Sequence, residues 1–73
     1  MNMPLAMVMQ GETKTIADLR GAEEQKRHLQ DIGFTKGAQV SVVGENPSGM
    51  IVMVKGVRVA LNRGLAQKIM VQA

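Results

Sequence analysis

Cysteine is absent from the 73 residues, which excludes disulfides, CxxC redox chemistry and thiolate metal sites. Aromatic residues are nearly absent as well, with no tryptophan or tyrosine and a single phenylalanine, Phe34. Binders of single-stranded nucleic acid present stacking aromatics along a basic groove, and one ring supplies no such platform. No apolar stretch runs longer than Met50 to Val54, far short of the ~20 residues that cross a bilayer. The chain opens on no basic segment ahead of an apolar core, so a cytoplasmic protein is expected. Charge of one sign is not concentrated either. Nine Lys and Arg against six Asp and Glu leave a net +3 that is spread along the chain and selects no class of partner.

What is present is one small unit. No repeat, low-complexity run or linker interrupts residues 1–73, and a domain normally takes roughly 100 to 200 residues, so a single domain is expected. A chain this short buries only about 60% of its unfolded surface, too little to enclose a large substrate, and function is expected on the outside. Seven methionines, at 1, 3, 7, 9, 50, 53 and 70, take the place that aromatics usually hold. Methionine fills irregular core gaps and also suits surfaces that repack against a partner.

The hydrophobic pattern predicts mostly β structure. Thr13 to Leu19 alternates Thr13, Thr15, Ala17 and Leu19 against Lys14, Ile16 and Asp18, as a strand does. From Gly21 the apolar period becomes helical, with Ala22, Leu29 and Ile32 on one stripe and Glu23, Glu24, Lys26, Arg27 and Asp31 facing away. Glu23 to Arg27 and Glu24 to His28 have the spacing of helical pairs. Gly33 then suits the left-handed position that ends a helix. Ala38 to Glu45 is the next strand, with Val40 and Val42 on one face. Asn46-Pro47-Ser48-Gly49 is a type I turn into Met50 to Val54, and Lys55-Gly56 turns the chain again into Val57 to Leu61. Asn62 caps a short helical turn before a last strand through Ile69 and Val71. About five short strands cannot bury one flat sheet in so few residues, so the expected fold is a small β-barrel with its one helix between the first and second of these strands, closing an open end.

Taken in order, Pro4-Leu5, Gly11-Glu12, Arg27, Leu29, Ile32-Gly33-Phe34, Gly37, Val40, Val42-Val43, Val57-Arg58-Val59-Ala60-Leu61, Ala66 and Ile69 resemble the FeoA family of bacterial ferrous iron uptake over nearly the whole chain. The resemblance implies an SH3-like barrel and, as partner, the membrane iron transporter FeoB with its cytoplasmic G-protein-like domain. The loop Asn46 to Gly49 looks shorter than the Pro-Leu-Gly-x-Pro type of the family, so no role of that loop's leucine carries over. The barrel is also similar to the C-terminal domain of DtxR-type metal repressors, without their helix-turn-helix segment.

Two places carry candidate chemistry. Glu24, His28 and Asp31 lie on one face of the expected helix and offer two oxygens and a nitrogen to a divalent transition metal such as ferrous iron, although no cofactor is required. The competing reading is a solvated face with ordinary ion pairs. On the Met50 to Val54 strand, Met50, Val52 and Val54 are expected inward, leaving Ile51 and Met53 outward, where they invite a partner or are covered by the N-terminal segment through Leu5, Met7 and Met9. Lys55 and Arg58 beside them suit an acidic surface, or are simply solvated. Gly33 and Gly37 lack the Lys-Ser/Thr of a phosphate loop and are turn residues. No nucleophile, base and orienting group occur together, so catalysis is not expected. The leading reading is an accessory protein that binds the cytoplasmic part of FeoB. The alternatives are a small basic barrel for single-stranded nucleic acid and a divalent-metal sensor. Self-association through an exposed strand edge is a further expectation.

Overall fold

Alternating apolar residues in short segments make strands, and a computed structural model describing residues 1–73 shows six of them in one antiparallel sheet. In chain order these are β1 (Asn2–Pro4), β2 (Thr13–Leu19), helix α1 (Glu23–Ile32), β3 (Gln39–Asn46), β4 (Gly49–Val54), β5 (Val57–Asn62), the four-residue helix α2 (Arg63–Ala66) and β6 (Ile69–Gln72). Their spatial order is β1-β6-β2-β3-β4-β5. The additional strand is β1, three residues that end on a proline and pair Asn2 with Gln72 and Met3 with Val71. So short a segment shows no alternation of its own and is held by β6 rather than by propensity.

Residues of β2, β3, β4, β5 and β6 share a single core with Leu5, Val8, Leu29, Phe34 and Ala66. One sheet can place all its inner residues in one cluster only by curling, as expected of a small barrel, yet its hydrogen-bonded ladder does not close: β1 and β5 remain edges. A 3-10 turn at Leu5–Met7 and α2 pack against each other in the gap between them. The helix α1 lies between β2 and β3 in sequence and is anchored through Leu29, fully buried, and half-buried Ile32.

Local chemistry accounts for the corners. The Gly33 N–H donates to the Gln30 carbonyl and the Phe34 N–H to the Leu29 carbonyl, the paired bonds of a Schellman ending, with Gly33 at φ 135°. The hydrophobic contact that usually accompanies this ending is supplied here by buried Leu29 and Phe34. The Asn62 side chain accepts from the Leu65 N–H at 2.8 Å and starts α2 as expected. Lys55 and Gly56 have φ values of 49° and 78°, the left-handed pair that a two-residue hairpin turn requires.

The expected alternation of β2 fails at its second half. A bulge between Ile16 and Asp18 shifts the register against β6, so Ile16 and Leu19 both point inward although they were expected on opposite faces. The Asp18 carboxylate accepts the Leu19 N–H at 2.9 Å there. A second bulge, between Val42 and Gly44 of β3, turns Val43 out to solvent and places Gly44 opposite Ile51.

Candidate functional site

All buried side chains are apolar, so the interior holds no polar machinery. The pocket between Ala6, Glu45, Met50, Arg63 and Ala66 is about 30 Å³, room for about one water molecule. The two largest depressions lie on the outer face of the sheet as shallow grooves open to solvent, one beside Met53 with Thr13, Ser41 and Lys55, the other beside Ile51 with Asn46, Ala60 and Asn62, and a smaller polar one lies between α1 and the end of β2, lined by Asp18, Glu23, Lys26 and Lys36.

The face is set by register. In β4 the side chains of Met50, Val52 and Val54 are buried, and Ile51 and Met53 stand on the other side, half-buried, as the alternation predicted. Cross-strand pairing gives each of them its neighbours. Met53 lies between Ser41 of β3 and Arg58 of β5, and Ile51 between Gly44 and Ala60. Three small neighbours leave the two apolar side chains standing proud of the sheet. The N-terminal segment does not cover them: Leu5 is inside the core, and Met7 and Met9 are 67% and 69% exposed. Next to Ser41, Thr13 shares a 2.8 Å hydroxyl bond with it, so the face passes from apolar to polar across β3 and β2.

Lys55 sits in the β4–β5 turn and Arg58 is directly opposite Met53, both exposed and neither within ion-pair distance of a carboxylate. Met53, Lys55 and Arg58 thus lie near the β4–β5 turn, with Ile51 further along the same face of β4, and the stem of Lys55 leans toward Gly33 at the end of α1. The candidate residues of the helix are not gathered in this way. Glu24, His28 and Asp31 are all exposed on α1, and no group of three His, Asp or Glu side chains converges to hold a metal ion. Nor do the expected pairs Glu23–Arg27 and Glu24–His28 form. The ion pair on α1 is Glu23–Lys26 at 3.6 Å, and Lys26 has its side chain drawn down to 31% exposure by the body of the protein. One further residue joins this face that the one-strand view did not include: Ala60 of β5, paired with Ile51, while Val57 and Val59 of the same edge strand lie on the inner row opposite Val54 and Val52. A position at the sheet edge depends on strand order and leaves no local mark on the sequence.

Comparison with known proteins places this geometry. The family model described as FeoA domain matches residues 3–73. A protein of Methanocaldococcus jannaschii named "Putative Fe(2+) transport protein A" is 30% identical over 69 residues, 94% of this chain and 84% of that protein. The crystal structure of an iron uptake regulatory protein, FeoA, superposes with a TM-score of 0.90 at 33% identity, covering 99% of this chain and 97% of that one. Stenotrophomonas maltophilia FeoA, solved with zinc and described as an SH3 domain protein, aligns with a TM-score of 0.80 at 26% identity over 96% of this chain and 89% of its own.

Proposed function

This chain belongs to the FeoA family, and from that membership we propose that it serves ferrous iron uptake as an accessory protein that binds the cytoplasmic part of a FeoB-type transporter. The observation that carries the reading is the outer face of β4 and β5, where half-buried Ile51 and Met53 stand beside the unpaired cations Lys55 and Arg58. Apolar residues at the centre of a patch supply contact energy and charges at its rim steer encounter. The interior has no polar group to bind or activate a small substrate, which favours a binding role over a catalytic one. No helix is long and apolar enough to cross a membrane, so in this reading the membrane work belongs to the transporter. Ferrous iron is then the transporter's cargo.

The test is a heteronuclear NMR titration of the labelled protein with the nucleotide-loaded cytoplasmic domain of its cognate transporter. Shifts clustered on Ile51, Met53, Lys55 and Arg58 are expected, and Met53→Glu should remove them. An unchanged spectrum at saturating partner would overturn the reading, as would shifts confined to the exposed face of α1.

A further inference from the structure

The two edges of the sheet are unequal. β1 is three residues long and ends on Pro4, which lacks an N–H, the ordinary way of blunting an edge. β5 is six residues long, contains no proline, and pairs with β4 in unbroken register from Val54–Val57 to Gly49–Asn62. The two-residue turn at Lys55-Gly56 makes Val54–Val57 the closing hydrogen-bonded pair, and strict antiparallel alternation then turns the N–H and C=O of Arg58 and Ala60 away from β4. No turn, loop or cap elsewhere in the protein bonds to these four groups. Solvent reaches the side chains along the same stretch: Arg58 and Ala60 are exposed, and Val57, although it lies on the inner-face row of Val40 and Val54, is 51% exposed.

We propose that β5 receives, by strand addition along this free edge, an extended acidic segment of a partner protein in which apolar and acidic residues alternate. The proposal deepens the docking reading above by naming how the partner engages the same site. Each part of the segment follows from the edge. Its backbone would pair with the outward groups of Arg58 and Ala60. Side chains of paired residues share a face, so residues opposite Val57 and Val59 would be apolar and cover the inner row, which the curl of the sheet leaves open at this end. The residue opposite Arg58 would be on the outer face, where an acid finds an unpaired guanidinium, with Lys55 at one end of the strand and Arg63 at the other, both free of carboxylates. A second copy of the chain fits less well. Two chains of net charge +3 repel, whereas an acidic segment is drawn to Lys55, Arg58 and Arg63 along the edge.

The experiment is amide hydrogen exchange read by NMR on the full chain, with a blocked peptide of about seven residues alternating valine and glutamate, and its valine and lysine counterpart. Saturating glutamate peptide should slow exchange at Arg58 and Ala60 at least about tenfold, with no slowing by the lysine peptide. Ala60→Pro should abolish the effect while leaving the β4 ladder, because Ile51–Ala60 is not one of its hydrogen-bonded pairs. If that variant does not fold, Arg58→Glu keeps the backbone and should exchange the preference of the edge from the glutamate to the lysine peptide. Unprotected Arg58 and Ala60 amides at saturating glutamate peptide would overturn the proposal, and so would protection that rises with protein concentration alone, which assigns the edge to a second copy. In the transporter titration, shifts on the outer face without protection of these two amides would overturn strand addition and leave docking intact. Protection by the peptide with no response to the transporter domain would keep the edge and remove that domain as its owner.

Discussion

Gly49 is held by a neighbour rather than by its own dihedral angles. A Cβ built on it would overlap the Leu61 carbonyl oxygen and come within 3.0 Å of the Asn62 Cα, both backbone atoms of β5 that cannot swing aside. Gly37 is the opposite case, with φ +87° and open space where a Cβ would lie. Gly37→Ala should therefore cost about 1 kcal/mol, the ordinary penalty of a left-handed backbone. Gly49→Ala should cost about 3 kcal/mol or more, lowering the Tm by at least about 10 °C in a domain of this size. Thermal unfolding followed by circular dichroism compares the two, and equal losses would show that the β5 backbone gives way. From the sequence Gly49 was legible as the last position of a turn, and the turn is there, with the Ser48 N–H donating to the Asn46 side chain at 3.0 Å. Its second role was not, because it depends on a strand twelve residues further along pressing against it.

Among the elements, α1 is the least secured. Ala22 occupies its N-cap without a side-chain bond, and the helix buries only Leu29 fully. Ala22→Ser would supply the missing acceptor and place Gln25 three residues on, the spacing of a capping box. About 1 kcal/mol of stabilisation is expected, seen as a rise of about 4–8 °C in Tm. No rise would mean that Gln25, whose side chain accepts from the Lys68 ammonium at 2.7 Å, already fixes this turn. The other end of α1 was readable because its stop signal is local: glycine, then an apolar residue that returns to the last turn. β4 and its two turns were readable for the same reason, and so was the outward placement of Ile51 and Met53. β2 was misread past Ile16, since a bulge is written in how one strand meets another and not in the strand itself. The candidate metal ligands on α1 are a different case: spacing puts Glu24, His28 and Asp31 on one side of the helix, and their exposed side chains, with no packing to direct them, are not gathered into one cluster in the structure.

At the scale of the whole molecule, electrostatics contributes little to the fold. Both ion pairs are on the surface, at 3.6 and 3.9 Å, and no charged side chain is buried. Exposed pairs of this kind are worth roughly 0–1 kcal/mol and are screened by salt. Raising sodium chloride from low to high concentration should thus move the Tm by no more than about 4 °C, whereas the same salt should weaken the acidic-segment contact at β5. A large loss of Tm would mean that the charges hold the fold together after all. The single aromatic residue has a consequence of a different kind. Phe34 is wholly enclosed behind the end of α1, and the chain has no tyrosine or tryptophan. In mixtures with a partner the protein is optically silent where indole and phenol emit, so every change in that emission belongs to the partner. Its own near-ultraviolet dichroism comes from one ring in the middle of the core, and that signal vanishes when packing loosens even if the strands persist.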